Sequence, residues 1–464
     1  MANVVDWINS NNGVCCGCGV CVALCPKHTL TMQWNKYGEY NPVQLRDCGK
    51  ECGLCLKVCP FIDGNPNEDD IGSKLFSEIP GIQHNPIIGY YLSSGVGGVA
   101  SEEKRWHSAS GGLTTWLLQK LLSEHLVDAV LCVTSTENSD ALFAFHVAKT
   151  NEDIYAAAGS AYYPVEMSQV ISYVLEHPGR YAVVGLPCFL KALRLAQGKN
   201  GILQKRLVFF IGLTCGHLPS KYLIKCAAEL SELDETPIYV RCRNKSPERP
   251  AHSHCFLLRG GYGSTKNLEW DKSLFGLMWG NQFLGLTSCM CCDDIVAECA
   301  DVTFMDAWLS EYSSNPIGTN LWISRSPEIT TILEGGKNDG TLSTSSISIE
   351  KVIQSLSPRT KKRTTSSYRL HLMKKMDLSI PTKRTFDTSE PRPSLYQRYI
   401  CRKQLRIQQG SRDQLKVTNG DVHSLIAWFK REAKDPVYII ALRHLGVVKN
   451  YAVKKISSWV PQRK

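Results

Sequence analysis

The sequence predicts a mixed α+β and α/β chain: a small cysteine-rich module, an α/β domain, then a basic, partly helical C-terminal extension. Three observations predict it. Eight cysteines fall in two proline-ended runs between Cys15 and Pro60. Short β-rich apolar runs alternate with helical periodicity from about residue 101 to residue 335. Lysine and arginine then gather in the last quarter of the chain.

The runs read Cys15-x2-Cys18-x2-Cys21-x3-Cys25-Pro26 and Cys48-x3-Cys52-x2-Cys55-x3-Cys59-Pro60. This is the ligand rhythm of a bacterial-type ferredoxin with two [4Fe–4S] clusters. Thiolates two and three residues apart on a tight loop reach three corners of one cube, and the cysteine before proline turns toward the other. One cluster is expected to take Cys15, Cys18, Cys21 and Cys59; the other takes Cys48, Cys52, Cys55 and Cys25. Gly17, Gly19 and Gly53 let the backbone come close to inorganic sulfide. Cys48 stands one residue out of the usual spacing, and Cys16 is a spare thiol. A zinc site and a disulfide framework are the bland alternatives, and eight thiols in two proline-ended runs weigh against both. The module, residues 1–65, is expected to carry electrons singly.

Length and composition fit several globular domains: 464 residues, 43% hydrophobic and 21% charged. Twenty cysteines would suit a disulfide-rich secreted protein, but the start, Met1-Ala-Asn-Val-Val-Asp, carries no signal-peptide pattern, and cluster ligands need free thiols. A cytoplasmic location is expected. No apolar run reaches the roughly 20 residues that span a bilayer; Val437–Val448 is interrupted by Arg443 and His444. The net charge of +10 is unevenly spread. Residues 359–464 hold 25 basic and 7 acidic residues, leaving 28 basic and 36 acidic in residues 1–358.

Residues 66–100, rich in Asn, Asp and Gly, read as a connector. Within 101–335, Leu113–Leu126 has helical spacing behind a Ser/Gly turn. Ala129–Val133, Tyr181–Gly185 and Leu207–Leu213 read as strands of a sheet covered on both faces. Ile154–Ala157 and Val165–Leu175 read as helices between them, an α/β order. Residues 336–394, rich in Ser, Thr and basic residues, read as a loosely packed linker. In the basic helical tail, 395–464, Val422–Ala433 and Val437–Ile456 could form amphipathic helices.

Four further cysteines sit beside Gly or Pro. Cys188 ends Gly185-Leu-Pro-Cys, Cys215 stands in Gly212-Leu-Thr-Cys-Gly-His, and Cys289 and Cys292 form a CxxC around the extra Cys291. One such cysteine is usually a small buried hydrophobe; two strand ends with a CxxC suggest a third cluster. With Ser108-Ala-Ser-Gly-Gly-Leu-Thr-Thr, Val127-Asp-Ala-Val, Ala156-Ala-Ala-Gly-Ser-Ala-Tyr-Tyr-Pro and Ala300-Asp-Val, these motifs resemble, in order, the family of coenzyme F420 hydrogenase/dehydrogenase beta subunits, which are iron–sulfur flavoproteins. The likeness covers roughly 101–310. It implies that Cys188, Cys215, Cys289 and Cys292 bind one [4Fe–4S] cluster beside FAD, held by Ser108, Ser110, Gly111, Gly112 and Thr114 and by Gly159, Ser160 and Tyr162. Ser110-Gly111-Gly112 at a helix mouth could also offer N–H groups to phosphate, although such a cap is common without any ligand. His107 and His217 read as structural histidines, and no catalytic acid or base is assigned. Asp301 and Asp306 are expected to orient loops. Thr303-Phe-Met-Asp-Ala-Trp308 replaces a glycine-rich stretch seen in some relatives.

The resemblance implies an oxidoreductase, linked to ferredoxin or coenzyme F420, that couples one-electron carriers to two-electron chemistry on a small molecule. The alternative is a non-catalytic electron-transfer subunit of a larger redox, polysaccharide or metabolite biosynthetic complex. The basic tail reads first as a solvated extension. Contact with an anionic membrane surface through Trp428-Phe429, Tyr438-Ile439-Ile440 and Trp459 ranks second. Nucleic acid ranks last, because no binding motif accompanies the charge.

Overall fold

A computed structural model describes residues 3–49, 52–270, 273–356, 363–378, 380–385 and 393–435. Its centre is an eight-stranded sheet in the order β15-β5-β14-β13-β9-β8-β6-β7. The strands are β5 (Ser93–Val99), β6 (Ala129–Ser135), β7 (Phe143–Ala148), β8 (Tyr181–Gly185), β9 (Leu207–Leu213), β13 (Val302–Asp306), β14 (Asn320–Ser324) and β15 (Leu342–Ser346). The four central strands β13, β9, β8 and β6 are parallel, and antiparallel strands flank them.

Alternation along these strands fills two cores. Val130 and Cys132 of β6 and Ala182 and Val184 of β8 face helix Leu113–Ser123, whose Leu113, Leu117 and Leu121 are fully buried. Ala129, Leu131, Tyr181 and Val183 face the opposite way, toward helices Ser168–Glu176 and Pro187–Gln197 and the N-terminal module. The uninterrupted apolar runs of the sequence follow from this two-sided burial.

The module contains hairpin β1 (Leu30–Trp34) and β2 (Tyr40–Gln44) and short helices Val20–Ala23 and Leu54–Lys57. It sits directly on the large domain: Met167 N donates to Cys18 O at 3.0 Å, Lys221 N to Gly38 O at 3.0 Å, and Ser288 Oγ to Cys15 O at 2.8 Å. A side chain at Gly19, which adopts φ +78°, would collide with Ser168 N at 2.9 Å. A separate antiparallel sheet, β10 (Pro237–Asn244), β11 (Cys255–Gly260) and β12 (Thr265–Glu269), flanks the large sheet.

Three expectations change. The connector 66–100 contains helix Glu68–Phe76, closed by an Asn67/Asp70 capping box, the hairpin β3 (Gln83–Asn85) and β4 (Gly89–Tyr91), and β5 within the central sheet. The linker 336–394 supplies edge strand β15 and helices Ile349–Ser355 and Ser366–Lys375. It also supplies the buried cations Arg363, Arg369 and Lys383. Helix Leu395–Val417 buries Leu405, Ile407 and Leu415, and Phe429 of helix Val422–Glu432 is fully buried 4.9 Å from the Phe283 ring. Trp428-Phe429 thus packs inward instead of facing a membrane. Val437–Ile456, Tyr438-Ile439-Ile440 and Trp459 lie outside the described residues. Among the described residues, no helix is long and apolar enough to cross a bilayer.

Candidate functional site

The module cysteines neighbour one another in space. Cys15, Cys18, Cys21 and Cys59 lie close enough for their thiolates to repel one another, and Cys55 acts on Cys21 as well. Cys55 has Cys48 and Cys25 as its charged neighbours. Burial, and then the neighbouring thiols, push Cys15 and Cys21 well up, and burial pushes Cys59 up to about 12. Thiols held in this way ionise when a bound cationic centre supplies positive charge. Backbone N–H groups already point at the sulfurs: Gly17 N to Cys15 Sγ at 3.3 Å, Val4 N to Cys55 Sγ at 3.3 Å and Thr29 N to Cys25 Sγ at 3.4 Å. Cys52 lies just before helix Leu54–Lys57. Among the described residues, no three Cys, His, Asp or Glu side chains converge as they would on a single ion.

The four remaining candidate cysteines lie beyond the C-terminal ends of the central strands or on the turn beside them. Cys188 follows β8 in the first turn of helix Pro187–Gln197, and Cys215 follows β9. Cys289 lies in helix Thr287–Cys291, and Cys292 follows it. The Cys215 and Cys289–Cys292 turns interlock: Leu218 N donates to Cys289 Sγ at 3.2 Å, and Cys215 N to Ile295 O at 3.1 Å. Cys16, read as spare, lies near enough to Cys18 and Cys188 for each to raise its thiol. This thiol joins the module to the large domain.

Alongside is a cavity of about 950 Å3, at the strand ends where open α/β sheets receive ligands. Ser108, Ser110, Gly112, Thr114, Gly159, Ser160 and Tyr162 line it, as do Cys215 and Cys289. Gly111, Cys188 and Cys292 are not among its walls. Gly111 serves packing instead, because a Cβ there would stand 2.7 Å from Asn320 N. The Ser108–Gly112 turn is pinned from behind. Ser110 Oγ donates to Thr319 O at 3.0 Å, and Asn320 Oδ1 accepts from Leu113 N at 3.2 Å, taking one of the helix-mouth N–H groups expected to be bare. Gly112 adopts φ +84°, a conformation that favours glycine.

Sequence reasoning missed Lys245. Its Nζ donates to the carbonyls of Arg105, Ser110 and Ile317 at 2.6–2.7 Å. Burial, with Arg243 and Arg105 beside it, pulls Lys245 down to about 7, while three carbonyl acceptors match the three protons of an ammonium and favour the charge. No local pattern marks a lysine whose partners lie up to 140 residues away.

Aromatic rings form one end of the cavity: Tyr162 lies 4.8 Å from Trp279 and 5.9 Å from Trp270. His217 packs 4.1 Å from Trp279, and its Nδ1 meets Gln282 Nε2 at 3.2 Å. His107 stacks on Tyr155 at 3.9 Å and bonds its carbonyl at 2.9 Å. Asp301 binds Arg194 at 2.8 Å and Phe210 N at 2.7 Å; Asp306 takes Arg243 through both oxygens at 2.8 and 2.9 Å. Ser135 Oγ and Thr214 Oγ1, on the cavity wall, are buried without a hydrogen-bond partner among the described residues. Such orphaned groups suit a polar ligand.

A two-sided α/β domain with a strand-end cavity, beside clustered thiols, defines a redox class. Residues 96–172 match the amino-terminal part, and residues 179–350 the carboxy-terminal part, of the family described as "Coenzyme F420 hydrogenase/dehydrogenase, beta subunit". The chain belongs to this family of coenzyme F420 hydrogenase/dehydrogenase beta subunits. It is 25% identical over 211 residues to one of the subunits of the F(420)H(2) dehydrogenase of Methanosarcina mazei, across 44% of this chain and 53% of that protein. It is 25% identical over 220 residues to "Coenzyme F420-dependent sulfite reductase" of Methanocaldococcus jannaschii, across 44% of this chain and 31% of that protein. The match therefore spans about half, or less, of each relative. A chain in a structure of the F420-reducing [NiFe] hydrogenase complex from Methanosarcina barkeri aligns at TM-score 0.49 and 17% identity, over 65% of this chain and 98% of that one.

Proposed function

We propose that the chain is an iron–sulfur flavoprotein oxidoreductase that couples one-electron carriers to two-electron chemistry at FAD. The observation that carries this reading is Cys16, whose thiol lies near Cys18 of the module and Cys188 of the large domain. Electrons crossing from module to cavity then have a short protein path. Cys15, Cys18, Cys21 and Cys59 would hold one [4Fe–4S] cluster, and Cys25, Cys48, Cys52 and Cys55 a second. Cys188, Cys215, Cys289 and Cys292 would hold a third.

FAD supplies exchange of either one or two electrons when bound. Around it, Ser108, Ser110, Gly112 and Thr114 would hold the phosphate end, with Lys245 fixing the turn from behind. Gly159 and Ser160 leave room for a ligand, and Tyr162 with Trp279 would border the ring and exclude water. Ser135 and Thr214 would supply hydrogen bonds to its polar edge. The two-electron partner is a small molecule; coenzyme F420 is the first to test, because both relatives named above carry it in their names. Ferredoxin is the one-electron partner to test beside it.

A second reading, an electron-transfer component within a larger complex, is favoured by the Methanosarcina mazei relative, which is named as one subunit of a dehydrogenase. Anaerobically reconstituted chain should bind about twelve irons, four per cluster, and one FAD, and its flavin should bleach with reduced F420 or reduced ferredoxin. Absence of flavin removes the catalytic reading. Full cofactor content, with no turnover by the isolated chain, favours the second reading.

A further inference from the structure

We infer that Arg369 sets the reduction potential of the cluster at Cys188, Cys215, Cys289 and Cys292 by planting a cation on the turn that carries two of these ligands. This inference rests on the ligand reading proposed above.

Arg369 lies on helix Ser366–Lys375, beyond residues 96–350 that the family descriptions span. It is only 3% exposed. Its Nε donates to Met290 O at 2.6 Å and its Nη2 to Cys292 O at 3.1 Å. The two carbonyls belong to the short turn between and including the CxxC residues, so one planar side chain fixes that turn from the outside. Its charge also acts on Cys291 and Cys292.

Lys383 stands close by, and Asp293 acts on both cations. The Lys383 Nζ lies 2.9 Å from Asp293 Oδ1 and 3.6 Å from Glu68 Oε1. Arg369 binds the ligand turn itself through two carbonyls, so it is the cation to test. A cluster gains negative charge when reduced, and a buried cation beside a ligand favours that state. Local charge is one of the levers by which a protein tunes such a centre, and Arg369 supplies it beside the ligand turn. It is a positioning residue, since it acts through the ligand turn.

The test uses the full chain, reconstituted anaerobically and followed by EPR during redox titration. The relevant signal is the one that Cys188→Ala abolishes together with about four irons. In Arg369→Gln and Arg369→Met its midpoint should move to lower potential, while Arg369→Lys should stay near the parent and the module's midpoints should not move. Loss of the cluster in the two neutral variants, but not in Arg369→Lys, also supports a charge role. An unmoved midpoint in a loaded neutral variant overturns the inference, and so does loss of the cluster in all three variants. If Cys188→Ala keeps every iron and every signal, the ligand reading itself fails, and the inference falls with it.

Discussion

Arg412 of helix Leu395–Val417 donates to the buried carboxylate of Glu39, just before β2, and its guanidinium lies 3.9 Å over the Tyr37 ring. The pair ties the two ends of the chain together across 373 residues. Removing one partner leaves the other buried without its counter-charge, which costs about 3–5 kcal/mol.

Arg412→Met should therefore lose about 3–5 kcal/mol in denaturant unfolding, and adding Glu39→Gln should restore most of it. Burial raises Glu39 above its ordinary value, opposed by Arg412. Without Arg412 that rise grows, so the folded state takes up a proton at higher pH than the unfolded chain does. The variant's deficit should be full above the folded-state pKa of Glu39 and should shrink as pH falls toward the ordinary carboxylate range. A deficit independent of pH would contradict this.

Crossed ligation makes a specific claim about Cys59. Cys59→Ala should abolish the same EPR signal as Cys15→Ala, and Cys25→Ala a different one. If Cys59→Ala instead removes the signal that Cys55→Ala removes, each run holds its own cluster. Cys16→Ser should keep the full iron content, because Cys16 is placed as a contact and not as a ligand.

Lys245→Met should weaken FAD binding by about tenfold or more, since hydrogen bonds from a charged donor contribute about 1.5–3 kcal/mol each. Flavin fluorescence titration reads the change. Iron content should not move, because Lys245 contacts the Ser108–Gly112 turn and none of the candidate cluster ligands.

Phe429→Ala should cost about 3–5 kcal/mol, because its ring is fully buried against Phe283. Denaturant unfolding tests it. A cost below about 1 kcal/mol, as for an exposed position, would return helix Val422–Glu432 to the solvated extension expected from its charge. Truncation at Ser394 should likewise yield a chain that fails to fold, since Leu405, Ile407, Leu415 and Leu425 are all nearly inaccessible.

The sheet was legible because its signal is local. Tyr181–Gly185 and Leu207–Leu213 are strands with the expected bounds, and Ala129–Val133 extends only to Ser135. Helices Leu113–Ser123 and Val422–Glu432 also stand within a few residues of their expected ends. The misread stretches owe their order to distant partners. Arg384 joins Glu298 across 86 residues, and Lys383 joins both Asp293 and Glu68. A run such as Pro381-Thr-Lys-Arg-Thr385 looks solvated until its acids are found elsewhere. β15 was hidden for another reason: as an edge strand it buries only Leu342 and leaves its Ser and Thr residues largely outside. At the site, the glycine and cysteine turns were readable from spacing, whereas Lys245, Asn320 and Arg369 act through carbonyls and amides that leave no pattern.

The ion pairs of Arg384 also impose an order on biogenesis. As the polypeptide leaves the ribosome, Glu298 emerges 86 residues before Arg384, and Asp293 earlier still. Neither carboxylate can be sequestered cheaply until its counter-ion arrives. The acids beside the Cys289–Cys292 turn therefore gain these counter-ions only once the segment carrying Lys383 and Arg384 has been made, and that segment latches them.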